Sequence, residues 1–198
     1  LNLAEEFNDK KFIDNWKNLP AIIKKSFTDF FWNTDNDYLF DVVSNNFADS
    51  SVRPNQIFAT SLPFSPLNDE QKDAVLRNVE KELLTPKGLR TLSPKNMMYK
   101  GRYEGNQAER DSAYHQGTVW PWLLGHFVEG YLKLYGKEKI HMAEKIVNNF
   151  KEDMTMHGLC SISEVYDGDP PQRPVGAISQ AWSIAEILRI IGMIKKYK

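Results

Sequence analysis

A chain of 198 residues with 41% hydrophobic content, and 25 Lys and Arg set against 26 Asp and Glu, has the composition of a globular protein able to bury one substantial core. Its formal net charge of -1 supplies no field to attract phosphate backbones or anionic lipid, which argues against nucleic acid and membrane partners. No apolar run approaches the ~20 residues of a bilayer span and no basic start followed by an apolar stretch marks a signal peptide; a single cysteine, Cys160, and no Asn-x-Ser/Thr acceptor point to a reducing cytoplasm.

The segment Leu3 to Phe7 reads as the tail of a helix, so the true N-terminus is expected upstream of Leu1. From Lys11 to Trp32, apolar residues such as Phe12, Trp16, Ile23, Phe27 and Phe30 recur at three- and four-residue steps, which predicts a helix with one buried stripe, kinked or split at Pro20. Asn33 to Ser51 is turn-rich around Tyr38-Leu39-Phe40. Arg53-Pro54-Asn55-Gln56 then opens a short helix that Pro63 and Pro66 close. Asn68 and Gln71 form an N-cap and N3 pair for a helix running to Leu84, with Ala74, Val75, Val79 and Leu83 inward and Gly88 as its stop. Leu89 to Gln116 reads as one long polar loop of the kind that shapes a site. Helical spacing resumes from Val119 to Tyr135, stops at Gly136, and restarts at Ile140. A proline-rich loop from Gly158 to Val175 precedes a last helix from about Ala177 to Ile194. Ile178, Ala181, Trp182, Ala185 and Leu188 line one of its faces, and Ile184, Ile187 and Ile191 extend the apolar surface nearly all round, so the helix is expected to have neighbours on several sides. About seven helices, joined alternately by long and short loops, suit a toroid of paired helices whose long loops gather at one end.

Several chemistries lack their markers. Neither a phosphate-cradling Gly-rich loop nor a Gly-x-Ser-x-Gly elbow occurs. Asn33, Asp35 and Asp37 mimic the start of an EF-hand loop, but Tyr38 and Ser44 stand where Gly and a bidentate Glu are required. His157 and Cys160 have ligand-like spacing without a second pair, so no metal is expected.

Three segments do combine aromatics, amides and charge where helices begin: Arg53 to Gln56, Tyr114 to Trp122, and Ser161 to Pro171 followed by Gln180-Ala181-Trp182. A sugar requires that mixture, with flat rings for its C–H faces and Asn, Gln, Arg and carboxylate groups for its hydroxyls. Cleavage of a glycosidic bond additionally requires two carboxyls. These same segments, in this order along essentially the whole chain, resemble the C-terminal motifs of the amylo-α-1,6-glucosidase domain of glycogen debranching enzymes, and the run Tyr-His-Gln-Gly-Thr-Val-Trp-Pro-Trp carries the resemblance most specifically.

The resemblance implies an all-α fold, the C-terminal half of an (α/α)6 toroid of the six-hairpin glycosidase kind, with residues 1–198 as a single partial domain. It implies hydrolysis of α-1,6-glucosidic branch linkages in glycogen or limit dextrin with inversion, without cofactor, and with Glu164 as general base. The general acid belongs to a Thr-Trp-Met-Asp-like segment that these residues lack, so a missing N-terminal half is expected to supply it. The chain alone is expected to be inactive, and to self-associate or to pair with a companion fragment. Substrate contacts are expected from Arg53, Asn55, Gln56, His115, Gln116, Trp120 and Trp122, and support from Asp167, Gln180 and Trp182. Arg53 has the further options of pairing with Asp41 or Asp49 and of orienting Glu164; Asp167 and Asp169 read as solvated loop residues. The alternatives are another (α/α)6 α-glucan hydrolase, glucoamylase-like or trehalase-like, and a non-catalytic helical module that binds carbohydrate or a partner chain. The spatial expectation is that Glu164, Arg53 and Trp120 share one carbohydrate-sized hollow.

Overall fold

The structure, a computed structural model, describes residues 1–198 in full. The N-terminal third begins with three helices, α1 (Asn2–Glu6), α2 (Lys10–Trp16) and α3 (Leu19–Phe31). The predicted helix is indeed split, and Pro20 sits in the first turn of α3, where its missing N–H costs no hydrogen bond. The expected buried stripe is not formed: Phe12, Trp16, Ile22, Ile23 and Phe30 are exposed, because no other element of the chain covers that face. Only Phe27 and Phe31, stacked at 5.0 Å, turn inward onto a small cluster of Leu39, Leu67 and Val75.

The turn-rich stretch folds as two hairpins, β1 (Trp32–Asn33) with β2 (Tyr38–Leu39), and β3 (Val42–Ser44) with β4 (Phe47–Asp49). Asn33 bends the first of these turns by accepting from the Asp35 backbone N–H at 3.2 Å. A 3-10 turn over Pro54–Ile57 leads into α4 (Phe58–Ser61). Asn68 and Gln71 close the expected reciprocal capping box on α5 (Asp69–Glu82), which buries Val75, Leu76, Val79 and the adjoining Leu83, whereas Ala74 stays half-buried.

Gly88 does not end that helix. It opens β6 (Gly88–Arg90), the return strand of a hairpin with β5 (Leu84–Thr85), and a Cβ there would lie 2.5 Å from the Trp120 carbonyl oxygen. The long polar loop contains a helix, α6 (Gln107–Ala113), with its own Asn106–Glu109 capping box. Val119 and Trp120 form β7 rather than a helical turn, and α7 (Leu123–Tyr135) follows, then a 3-10 turn, α8 (Ile140–Asn148) and α9 (Asp153–Met156). With β8 (Val165–Tyr166) and β9 (Pro174–Val175), the five short strands β5-β6-β7-β8-β9 make one antiparallel sheet, built wholly from the connections between helices.

The last helix, α10 (Ala181–Tyr197), starts four residues later than expected and buries a different stripe, Ser183, Ile187, Ile190 and Ile194. Ile178, Trp182 and Leu188, on a helix expected to have neighbours on several sides, are exposed. The central α7 packs against α4, α5 and α10, and the main core gathers around it, with Phe127, Tyr131, Phe150 and Tyr166 among its largest fully buried side chains. Helices thus supply the core, and the small sheet knits together the loops that carry the candidate site.

Candidate active site

Glu164 stands immediately before β8. Its backbone N–H donates to the Ala177 carbonyl at 2.9 Å, and its Oε2 accepts from the Ala177 N–H at 2.9 Å, so the residue is closed against the far arm of its own loop. That arm turns at Gly176, whose φ of +71° few side chains tolerate and where a Cβ would lie 2.6 Å from Oε2. The second carboxylate oxygen, Oε1, accepts a hydrogen bond from the Tyr114 hydroxyl. Burial and this carboxylate together raise the Tyr114 pKa far above the ordinary phenol value, so the hydroxyl remains a donor throughout the physiological range. The half-buried carboxylate opens onto a hollow of about 510 Å³ walled by Tyr103, Arg110, Val175, Gly176 and Ala177.

Behind this hollow lies a charge cluster that corrects the reading of Asp167 as a solvated residue. Asp167 has 0% exposure. It accepts from Arg102 Nη1 at 3.0 Å, Arg173 Nε at 2.6 Å and the Tyr103 backbone N–H at 2.9 Å. Arg102 also donates to the Pro170 carbonyl at 2.8 Å. The carboxylate therefore ties the loop bearing Tyr103 to the loop bearing Glu164. Asp169 adds a second tie by accepting from the Tyr99 hydroxyl at 3.0 Å; burial, reinforced by that bond, pushes the Tyr99 pKa up to about 12.

Arg53 forms a separate junction. Its Nη1 donates to the carbonyls of His115 at 2.7 Å and Thr91 at 3.1 Å, its Nη2 donates to Gln116 Oε1 at 3.0 Å, and its Nε faces Asp41 Oδ2 at 3.5 Å. Asn55 donates to Asp41 at 2.8 Å, and the buried Gln56 donates to the Arg53 carbonyl at 3.0 Å. These three residues line a larger, mostly apolar cleft of about 1000 Å³ that also touches Phe27, Phe31 and Leu39, and they are not part of the wall around Glu164. The turn from Tyr114 to Gln116 joins the two regions, held by Arg53 on one side and reaching Glu164 on the other.

Among the aromatics, Trp120 is only 5% exposed and donates its indole N–H to the Tyr114 carbonyl at 3.2 Å, so it supports the turn from within. The exposed rings are its neighbours. His115 stacks parallel to Trp120 at 5.7 Å, and Trp182, 45% exposed, meets Trp120 edge-on at 5.7 Å while stacking on the half-buried Trp122 at 5.7 Å. Gln180 caps α10 and its N–H donates to the Ile162 carbonyl at 3.0 Å. Tyr103, Arg110 and Tyr114 carry no individual assignment in the sequence; for Tyr114, the only signal is its place at the head of the aromatic motif. No three His, Cys, Asp or Glu side chains stand together as a metal-ligand group.

A helical core whose inter-helix connections gather into one small sheet matches the fold of an (α/α)6 glycosidase. Neutral trehalase of Saccharomyces cerevisiae superposes with a TM-score of 0.66 at 15% identity, over 90% of this chain and 30% of that one. A family model described as amylo-alpha-1,6-glucosidase matches residues 1–189, and the chain belongs to that glycoside hydrolase family. The glycogen debranching enzyme of S. cerevisiae is 29% identical over 91 residues, 43% of this chain and 6% of that protein. The chain thus spans only a small part of the length of either relative.

Proposed function

We propose that this chain is part of an amylo-α-1,6-glucosidase that removes the glucose left at a trimmed glycogen branch, and that Glu164 is its general base. In this reading residues 1–198 form one partial domain, the C-terminal half of the toroid, working in the cytoplasm. The ionised carboxylate takes a proton from a water, and the water attacks the anomeric carbon from the face opposite the leaving oxygen. A general acid outside residues 1–198 protonates that oxygen; inversion sets the two carboxyls about 6.5–9.5 Å apart, leaving room for the water. The observation that carries the reading is the Glu164 carboxylate itself, fixed at both oxygens while facing a hollow with an aromatic and a guanidinium wall. The exposed His115 and Trp182 and the half-buried Gln116, Tyr103 and Arg110 are the groups assigned to meet sugar in this reading, whereas Asn55, also exposed, lines the separate cleft beside Arg53. Arg53, Asn55, Gln56, Trp120 and Asp167 act through other residues, with Trp122 and Gln180 supporting the ring of Trp182 and the start of its helix.

The test is glucose release from branched limit dextrin by the full-length polypeptide that contains these residues. Glu164→Gln is expected to lower kcat by about a thousandfold or more. Azide added to Glu164→Ala should restore cleavage, displacing the protonated leaving oxygen and giving β-glucosyl azide from the α-linked substrate. A Glu164→Gln enzyme that still releases glucose at the normal rate would remove Glu164 from the chemistry. Equal turnover of linear maltooligosaccharides would place the activity with glucoamylase-like hydrolases instead.

A further inference from the structure

We propose that Tyr114 is the positioning residue for the Glu164 carboxylate, and that Arg53 acts on the same carboxylate through Tyr114. This rests on the reading of Glu164 as the base. A carboxylate on a three-torsion side chain aims a lone pair at water only if its final torsion is fixed, and small misplacements of a reacting group are costly. Here the Ala177 N–H holds Oε2 and the Tyr114 hydroxyl holds Oε1, so both oxygens keep one orientation toward the hollow.

Tyr114 is in turn over-determined. Its ring meets Trp120 edge-on at 4.8 Å and lies 5.7 Å from Tyr103, its N–H donates to the Arg110 carbonyl at 3.0 Å, and its carbonyl takes the Trp120 indole. The next two residues are fastened by Arg53, whose rigid fork spans the His115 carbonyl and the Gln116 side chain while also gripping Thr91. A lysine presents a single point charge and cannot bridge those acceptors at once. Arg53, in its own cleft, is therefore connected to Glu164 by one turn of chain and one hydroxyl.

Kinetics of Tyr114→Phe, Arg53→Lys and the double variant in the full-length polypeptide test the relay. Tyr114→Phe should lower kcat by about a hundredfold with KM within about twofold, and Arg53→Lys should lower kcat by less, in the same sense. Because both act on one carboxylate, the double variant should be no worse than Tyr114→Phe, whereas multiplying losses would show that Arg53 works independently and overturn the relay. Azide supplies the control for a merely structural effect. In a Glu164→Ala background the azide-supported rate should be the same with or without the added Tyr114→Phe change, since no carboxylate remains to be aimed; a further drop would make Tyr114 a general support and overturn its assignment. Normal kcat in Tyr114→Phe alongside an inactive Glu164→Gln overturns the relay and leaves the base in place, while an active Glu164→Gln defeats the base assignment itself.

Discussion

Glu164 and Asp167 are three residues apart and do opposite work. The first keeps one side toward a hollow, whereas the second is sealed from solvent and spends its acceptor capacity on two guanidiniums and a backbone N–H. A buried carboxylate so paired adds little net stability over an apolar substitute, but removing it alone strands its partners and unlatches two loops. Asp167→Ala should therefore destabilise the fold by about 2–4 kcal/mol in urea denaturation. Arg102→Met should cost less, because Arg173 still neutralises the carboxylate. His126 provides a second measurable effect. Burial first, and then the nearby Arg189, hold its pKa below the ordinary 6.5, while Ser61 Oγ lies 3.0 Å from Nδ1 and Glu129, Glu186 and Lys133 complete its charged surroundings. The unfolded chain therefore takes up this proton before the folded one does. The associated stability is present above pH 6.5 and is lost as pH falls toward the lowered folded value. The melting temperature should fall between about pH 7 and 5, above the range where carboxylates titrate, and His126→Gln should flatten that slope. An unchanged slope would assign it to other groups. At this scale the burial of Asp167 is not legible in the sequence, because Gly168, Asp169 and Pro170 around it look solvated and its partners Arg102 and Arg173 belong to other parts of the loops.

Elements are legible where local chemistry decides them. The Asn68–Gln71 pair marks α5 correctly because both halves of the capping box lie within four residues, and Pro20 splits α2 from α3 for an equally local reason. A capping box of the same kind, with Glu109 in place of Gln at N3, opens α6 at Asn106, yet it is hidden inside a segment that reads as one polar loop, because a helix of seven residues there lacks an apolar stripe. Strands of two or three residues are too short to show alternation, so the five-stranded sheet leaves no periodic trace. In α10, apolar residues surround nearly the whole helix, and sequence cannot tell which stripe the rest of the chain covers. Gly88 passes for a helix stop because close approach of another backbone has no local signature. Its replacement by Ala brings Cβ to 2.5 Å from the Trp120 carbonyl oxygen, which belongs to a paired strand and cannot swing aside like a side chain. Gly88→Ala should thus cost about 3 kcal/mol, well beyond the ~1 kcal/mol by which such a change usually helps or harms. A chemical denaturation midpoint unchanged from the parent would show that β6 and β7 can separate without loss.

For the whole molecule, the covered and uncovered apolar surfaces separate by position. The core around α7 is closed, with Phe127, Val128, Leu124 and Ile190 at 0% exposure, while apolar side chains at the two ends of the chain remain in solvent. Trp16, Ile22, Ile23 and Phe30 project from α2 and α3, and Trp182 and Leu188 project from α10. A monomer rarely leaves such contiguous helix faces uncovered, and burying one large side chain is worth about 1.5–3 kcal/mol. Two such faces on one chain favour chain-to-chain association, and faces that do not coincide generate open assemblies as readily as closed dimers. The 198-residue chain by itself is therefore expected to sediment as concentration-dependent oligomers. Replacing Ile23 and Leu188 by Glu, both already in solvent and hence harmless to the core, should shift the distribution toward monomer without lowering the melting temperature. A wild-type chain that stays monodisperse and monomeric across roughly a hundredfold concentration range would mean that these faces are covered within the chain in solution.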